Sequence, residues 1–240
     1  MRAIFPSDAE NDLKEKFFER APRGYFVEVG ANEPELLSQT LHLEALGWGG
    51  VLIEPQPELA RRLEESRSAK VFAVACSSRK NAGSTMTLHL AGIYSSFDPA
   101  LSISTVRPDG AVAVPVRTLD DILTEAGAPS PIDFVSIDVE GHEIDTLDGF
   151  DLARWRPRLL LVEDLCMNLR LNRYLGARGY RWFRRTGLND WYVPRDSPAR
   201  LDLEGRLQFW RKHYLGVPFR RLREASRRYR HDRAHRRRKL

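Results

Sequence analysis

The chain has 240 residues, of which 42% are hydrophobic and 30% are charged, a composition that suits one α/β domain with a small extension. No apolar run approaches the ~18 residues of a membrane span, residues 1–20 contain no apolar signal core, and two cysteines are too few for a disulfide framework. These features exclude membrane-spanning and disulfide-rich secreted classes, and we expect a cytoplasmic protein.

The net charge of +5 conceals two parts of opposite sign. Residues 206–240 contain 14 lysines and arginines against two acids, whereas the preceding residues contain 24 basic and 31 acidic side chains. A change in charge of this kind is typical of a folded domain that carries an interaction tail. We therefore expect a domain over residues 1–200 and a basic tail, helical or partly disordered, over residues 201–240.

The apolar pattern predicts alternating strands and helices along residues 8–194. The expected helices cover residues 8–20, 36–46, 57–66, 118–125 and 168–178, and the expected strands cover residues 25–29, 51–54, 70–76, 86–90, 111–117, 132–137, 158–162, 180–185 and 190–194. The last two strands form an antiparallel hairpin. This order favours a doubly wound, Rossmann-like sheet that is mostly parallel and binds its ligand at the carboxyl ends of the strands.

The first two strands each carry an acid where a cofactor would bind. Glu28 lies inside the first apolar strand, and Glu54 ends the second, the usual position for a carboxylate that holds ribose hydroxyls. The loop after the first strand has a single glycine, Gly30, and two acids, Glu33 and Glu35, that would repel phosphates, so the chain lacks a dinucleotide fingerprint. S-adenosylmethionine, which has a ribose and an ammonium but no phosphate, suits these charges. Glu28 would then face the ammonium, directly or through water, and Gly30 would let the backbone approach the methionine part.

Acids also follow two later strands that should be neighbours in the sheet. Asp138 ends one strand, and Glu163 and Asp164 end the next, so three carboxylates would converge beside the methyl donor. Like charges this close need protons or a cation, and Mg²⁺ is a hard cation that prefers oxygen ligands. His142 follows Asp138 by four residues, and the ordinary pKa of its side chain suits a general base. Three interpretations stay open: a metal site with a base, a metal-free site in which His142 or Asp138 acts alone, and a structural role in which neighbouring glutamates cap the next helix.

Several motifs resemble those of the FkbM-type methyltransferases, a branch of the class I S-adenosylmethionine-dependent fold. They are FVEVGAN at residues 26–32, SQT at 38–40, GWGGVLIEP at 47–55, TLDD at 118–121 and IDVEGHE at 137–143. The resemblance covers residues 25–194 and implies a seven-stranded sheet and O-methyl transfer to a hydroxyl of a sugar, glycan or natural-product small molecule. It also implies a cofactor site made up of Glu28, Gly30, Asn32, Ser38, Glu54, Pro55, Ser77 and Asp138.

Two further segments bear on the partner. The stretch 91–105 has no clear periodicity, and Tyr94, Ser95 and Ser96 either line the acceptor pocket or are ordinary polar loop residues. Three interpretations of the basic tail stay open: a solvated helix or partly disordered end, a segment that binds nucleic acid, and a segment that binds a phosphorylated carrier or anionic lipid headgroups, the last of which would make the protein membrane-peripheral. The alternatives to a small-molecule methyltransferase are therefore a methyltransferase on RNA or protein that the tail recruits, and a non-catalytic nucleoside-binding module. A homo-oligomer is also left open.

Overall fold

The computed structural model of the chain describes residues 8–19, 21–92, 94–98, 110–164 and 169–216. Its strands are β1 (Tyr25–Val29), β2 (Gly49–Ile53), β3 (Lys70–Phe72), β4 (Ala75–Cys76), β5 (Thr85–Leu90), β6 (Gly110–Arg117), β7 (Phe134–Ile137), β8 (Leu159–Glu163), β9 (Tyr180–Thr186) and β10 (Asn189–Pro194). Its helices are α1 (Asp8–Phe17), α2 (Leu41–Ala45), α3 (Pro57–Ser66), α4 (Leu119–Ala126), α5 (Glu143–Asp148), α6 (Leu152–Trp155), α7 (Arg170–Ala177) and α8 (Leu203–Trp210), and a π-helical turn (Arg211–Gly216) extends α8.

Seven strands of the described residues form one sheet in the order β3-β2-β1-β7-β8-β10-β9. The first five strands in this order, β3, β2, β1, β7 and β8, are parallel to one another. The hairpin of β10 and β9 adds two antiparallel strands at one edge. The doubly wound, Rossmann-like sheet expected from the sequence is therefore confirmed. The chain order reverses between β1 and β7, and such a switch point opens a crevice at the carboxyl ends of the strands.

Hydrophobic side chains cover both faces of this sheet. Because side chains alternate along a strand, β1 sends Phe26 into one core and Val27 and Val29 into the other. β7 divides in the same way, with Phe134 in the first core and Val135 in the second. A parallel sheet that is buried on both faces needs near-continuous apolar strands, which explains the apolar runs in the sequence.

The expected helix 36–46 is shorter in the structure, where α2 covers only Leu41–Ala45. Leu37 has a left-handed backbone with φ +68°. The residues after it donate hydrogen bonds to a carboxylate on β1 instead of continuing a helix. Tertiary hydrogen bonds therefore determine where this helix begins.

The expected strand 70–76 is divided into β3 and β4. β3 stays at the edge of the large sheet, whereas β4 pairs with β6 in a second sheet of order β4-β6-β5. β5 and β6 are antiparallel, as the sequence pattern predicts for residues 86–90 and 111–117. The second sheet borders the cavity of the main sheet, because Ala75 and Leu88 line that cavity.

The two ends of the described chain both pack near β9. The ring of Phe17, the last residue of α1, lies 6.0 Å from that of Phe183 on β9. α8 also contacts β9, so packed structure continues beyond residue 200, and the expected domain boundary there stays a prediction. Residues 217–240, most of the expected basic tail, lie outside the described residues. Within the described ranges, no helix is long and apolar enough to cross a membrane.

Candidate active site

A cavity of about 280 Å³ opens at the carboxyl ends of β1, β2, β7 and β8, at the switch point of the sheet. No lysine or arginine among the described residues lines it. Such a cavity favours cationic ligands, because opposite charges attract more strongly where protein replaces water. Its acidic lining residues are Glu10, Glu28, Glu54, Asp138, Glu140 and Glu163, and one wall is formed by Val74, Ala75, Cys76, Leu88 and Phe97.

The backbone at Gly30 joins the end of β1 to the end of β7. Gly30 has φ +80°, and a β-carbon on it would lie 1.8 Å from the carbonyl oxygen of Asp138. The backbone N–H of Asp138 in turn donates to the carbonyl oxygen of Val29 at 3.0 Å. Asn32 also has a left-handed backbone, with φ +54°, and both Gly30 and Asn32 line the cavity. The glycine is therefore required by the neighbouring strand end, whatever ligand the loop binds.

Glu54 follows β2 and faces the cavity. Its Oε2 accepts a hydrogen bond from the backbone N–H of Asn32 at 2.8 Å, and its Oε1 accepts one from the backbone N–H of Gln56 at 2.9 Å. Burial raises the pKa of this carboxyl to about 7, although the two backbone donors oppose the shift. Each oxygen accepts one hydrogen bond from the described residues and so keeps a lone pair for a further donor. Pro55, the next residue, also lines the cavity.

Glu28 is buried on β1, and its carboxylate accepts hydrogen bonds from other residues of the protein. Oε1 accepts from the backbone N–H of Gln39 at 2.6 Å, and Oε2 accepts from the hydroxyls of Ser38 at 3.0 Å and Thr40 at 2.5 Å. Burial raises the pKa of Glu28, whereas these donors and the nearby Arg67 lower it. Ser38 is turned towards Glu28 and Arg67 and does not line the cavity. Glu28 therefore orders the segment before α2, and its contact with a cofactor ammonium stays a prediction.

Two residues of α1, Glu10 and Lys14, complete this region, and no motif in the sequence indicated a role for them. The fully buried Lys14 donates from Nζ to the backbone oxygen of Gln39 at 2.6 Å and to its Oε1 at 3.1 Å, and burial lowers the pKa of Lys14 to about 7. Glu10 accepts from Gln39 at 3.0 Å, from Thr186 at 2.6 Å and from Asn189 at 3.0 Å. Glu10 and Lys14 are four residues apart on one helix face. This i, i+4 spacing was the only sequence feature that could have indicated the pair. It is also common on helices that face solvent, so it does not by itself predict a buried role.

Three acids form a cluster beside the loop that follows β1. Carboxylate oxygens of Asp138, Glu140 and Glu163 lie within 4.8 Å of one another, and Asp138 and Glu163 share a hydrogen bond. Burial, followed by the mutual repulsion of these acids, raises the pKa of Glu140 to about 8 and that of Glu163 to about 10. Burial likewise raises the pKa of Asp138 to about 6, although its side chain keeps exposed surface, because that surface lies inside the cavity. Oε2 of Glu163 is buried without a hydrogen-bond partner among the described residues.

The structure does not bring Asp164 into this cluster. Its Oδ2 accepts a hydrogen bond from Nζ of Lys212, in the π-helical turn, at 2.6 Å. Consecutive residues of an extended chain point to opposite sides, so Glu163 and Asp164 cannot both face the cavity. Glu140, in the loop after β7, is the third acid of the cluster, where Asp164 was expected.

His142 and Ser77 contact each other and do not line the cavity. Nε2 of His142 lies 3.0 Å from Oγ of Ser77, which also accepts from Nδ2 of Asn81 at 3.0 Å. Nδ1 of His142 lies 3.8 Å from Asp145, and its ring centroid lies 5.4 Å from that of Phe97 in the cavity wall. Burial lowers the pKa of His142, and Asp145 only partly opposes this. The expected roles of His142 as a base and Ser77 at the adenine stay predictions, which this placement does not favour.

A loop from the second sheet covers part of the cavity. Tyr94 and Ser95 line it, and Oγ of Ser95 accepts a hydrogen bond from Nε2 of Gln56 at 3.3 Å. Ser96 is buried and donates from Oγ to the backbone oxygen of Glu140 at 2.9 Å. The loop is therefore fixed both to the segment after β2 and to the acidic cluster. The expected loop residues 99–105 lie outside the described residues.

The fold and the cavity together define a Rossmann-like α/β domain with an acid-lined cavity at the switch point of its sheet. A family model described as Methyltransferase FkbM domain matches residues 28–182. Because this match covers more than half of the chain, the protein belongs to the FkbM methyltransferase domain family, as the motifs indicated. Methyltransferases of this family use S-adenosylmethionine as the methyl donor.

A solved structure described as the delta-N METTL16 MTase domain is similar to the chain with 11% sequence identity and a TM-score of 0.41. The likeness covers 78% of this chain and 81% of that one. A similarity at this TM-score is too weak to carry an argument about function. No curated protein matches the sequence significantly.

Proposed function

We propose that the protein is an S-adenosylmethionine-dependent O-methyltransferase whose acceptor is a hydroxyl of a sugar, glycan or natural-product small molecule. The observation that carries the proposal is the position of Glu54, whose two oxygens each accept one backbone hydrogen bond while the residue lines the cavity. A carboxylate held in this way has lone pairs left for both ribose hydroxyls of the donor. Membership of the FkbM family supports the methyltransferase class, and the hydroxyl acceptor is our inference.

The shape and charge of the cavity suit this donor. Its ribose would bind Glu54, its adenine would pack on the apolar wall around Leu88, and its methionine part would pass Gly30 and Asn32. The acidic lining complements the positive sulfonium and ammonium groups. A dinucleotide suits the cavity less well, because its phosphates would meet acids without any glycine-rich loop to bind them.

The reaction needs an acid–base residue at the acceptor. The acceptor oxygen attacks the methyl carbon, the carbon–sulfur bond breaks with its electrons passing to sulfur, and the hydroxyl proton must be removed. We assign this proton to Asp138, because its carboxylate faces the cavity and its pKa of about 6 leaves it ionised at neutral pH. His142 suits the role less well, since its ring contacts Ser77 and not the cavity.

Mg²⁺ is an alternative means of balancing the acidic cluster. The donor set fits a hard divalent cation, because three carboxylate groups converge within 4.8 Å and a buried oxygen of Glu163 has no hydrogen-bond partner in the described chain. Asp138, Glu140 and Glu163 would hold the ion, which would lower the pKa of a bound hydroxyl. Protons on Glu140 and Glu163 can balance the cluster instead, because burial raises the pKa of Glu140 to about 8 and that of Glu163 to about 10, which leaves only Asp138 ionised at neutral pH. A metal-dependent enzyme and a metal-free enzyme therefore differ in their response to chelation.

The proposal is tested by calorimetry with S-adenosylmethionine, followed by a screen of hydroxylated acceptors with isotopically labelled donor. Donor binding together with label on an oxygen of a sugar or natural product supports it. Transfer only to RNA or to a protein favours the alternative in which the basic tail recruits a macromolecule. A protein that does not bind the donor would be a non-catalytic module, which contradicts the proposal.

A further inference from the structure

The outer face of α8 and of the π-helical turn is strongly apolar. Leu203 (74% exposed), Leu207 (61%), Trp210 (53%) and Tyr214 (65%) follow one another at helical spacing, so they form one continuous row, here called the apolar stripe. The rings of Trp210 and Tyr214 stack with their centroids 6.2 Å apart. Single exposed apolar side chains are common on proteins, but a continuous row of large ones indicates an interaction surface.

The opposite face of the same helix is firmly attached to the domain. The ring of Phe209 lies 5.4 Å from that of Trp182 on β9. The side chain of Lys212 is 3% exposed and forms salt bridges with both Asp164 and Asp190, the latter itself fully buried. The apolar stripe is therefore presented by a packed helix and is not a consequence of a loose chain end.

Basic residues border the apolar stripe. Arg206 and Arg211 are both exposed, and helical geometry places them on either side of the row. The sequence then continues from the same end of the helix into residues 217–240, which contain eleven lysines and arginines against Glu224 and Asp232. Leucine and aromatic side chains flanked by arginines are typical of helices that lie in the interface of an anionic bilayer.

We propose that the apolar stripe docks this protein onto membranes that contain anionic phospholipids. The leucine, tryptophan and tyrosine side chains enter the boundary between headgroups and acyl chains, and the arginines contact the lipid phosphates. Two signals of this kind act together, because neither a short apolar row nor a basic segment holds a protein on a bilayer strongly when it acts alone. The inference concerns a surface outside the cavity and does not rest on the proposed methyl transfer.

Other occupants suit the apolar stripe less well. Nucleic acid would gain little from Leu203 and Leu207, which offer neither a charge for phosphates nor a ring for base stacking. A second copy of the chain would bring two arginine-rich segments together, and their like charges would repel each other. An anionic bilayer satisfies both the apolar row and the positive charge.

The test is co-sedimentation of the full chain with vesicles of phosphatidylcholine alone and of phosphatidylcholine mixed with phosphatidylserine. The variant combines Leu203→Ser and Leu207→Ser, which are exposed substitutions that leave the buried face of α8 intact. The matched control combines Leu36→Ser and Leu46→Ser, two leucines that are also exposed but lie elsewhere. Glu54→Ala, tested alongside, separates membrane docking from donor binding.

We expect the protein to bind the mixed vesicles and not the neutral ones, and the variant to bind at least about tenfold more weakly than the control. Glu54→Ala should bind vesicles normally even if it no longer binds the donor. Equal binding by variant and control would overturn the proposal, because charge alone would then account for it. Two other results would also overturn the proposal. One is a protein that binds RNA but does not bind vesicles, and the other is a protein that dimerises through the apolar stripe and does not bind vesicles.

Discussion

Gly30 and Asp138 approach each other so closely that a β-carbon on Gly30 would lie 1.8 Å from the carbonyl oxygen of Asp138. The contact joins the loop after β1, where the methionine part of the donor is expected, to the strand end that begins the acidic cluster. The position of Asp138, the candidate base, therefore depends on Gly30, the residue that follows the neighbouring strand β1. The proposed donor half and the proposed acceptor half of the site are therefore joined through the backbone.

Gly30→Ala should consequently damage both halves. We expect it to lower the free energy of unfolding by about 2–4 kcal/mol and to weaken donor binding strongly, because Asp138 must move and the left-handed φ is strained. Thermal unfolding and calorimetry measure the two effects. Gly127→Ala is the matched control, since Gly127 has φ +70° but nothing within 4 Å of an added β-carbon. If both variants behave alike, φ strain and not the contact with Asp138 is responsible.

Glu54→Ala should weaken S-adenosylmethionine binding at least about tenfold, because the ribose hydroxyls lose their common acceptor. Isothermal calorimetry measures the affinity directly. Glu33→Ala is a suitable control, because Glu33 lies in the loop after β1, does not line the cavity and pairs with Arg62 at the surface. An unaltered affinity in Glu54→Ala would contradict the role of Glu54 at the ribose.

Glu28→Gln should mainly affect folding. The amide would present an N–H₂ group to the donors of Ser38, Gln39 and Thr40, so at least one buried donor would lose its acceptor. We expect a loss of about 2–4 kcal/mol in the free energy of unfolding, measured by denaturant titration. Glu65→Gln, at an exposed surface pair with Arg61, serves as the control. A fully stable variant that no longer binds the donor would instead support direct contact of Glu28 with the ammonium.

Activity in the presence of a chelator distinguishes an acidic cluster that binds Mg²⁺ from one that is neutralised by protons. If Mg²⁺ is required, methyl transfer should be lost in EDTA and restored by added Mg²⁺. If Asp138 acts as a metal-free base, the chelated enzyme should stay fully active while Asp138→Asn loses activity by about a hundredfold or more. Initial rates with labelled donor measure both. Full activity of Asp138→Asn in EDTA would exclude both roles for this residue.

Glu163→Gln should stabilise the chelated protein at alkaline pH. Burial raises the pKa of Glu163 to about 10, so between its unfolded pKa and that value the folded state binds a proton that the unfolded state has released. This contribution favours folding at low pH and is lost as the pH rises. The amide avoids the loss, and we expect Glu163→Gln to gain about 1 kcal/mol near pH 8 and almost nothing near pH 5. Thermal unfolding at the two pH values measures the difference, and an equal effect at both would contradict the raised pKa.

The sequence by itself determined the sheet and the family. The runs that become β1, β2, β7 and β8 are apolar because both faces of a parallel sheet are buried, and this signal is local. The acid at Glu54 and the glycine at Gly30 could be predicted for the same reason, since each stands at a fixed position relative to the end of its own strand. The FkbM motifs needed only this local order, and the family match confirms them.

The direction of each side chain was decided only by the tertiary structure. Residues 163 and 164 point to opposite sides of the chain, and no local pattern shows which of them faces the cavity, because that depends on how β8 pairs with β7. His142 turns to Ser77, and Glu28 to the segment before α2, because these partners approach from distant parts of the chain. Glu10 reaches the cavity from α1 through contacts about 29 and 179 positions away in sequence. Local patterns indicate which runs form strands, whereas the partners of a buried polar group are fixed by packing between elements.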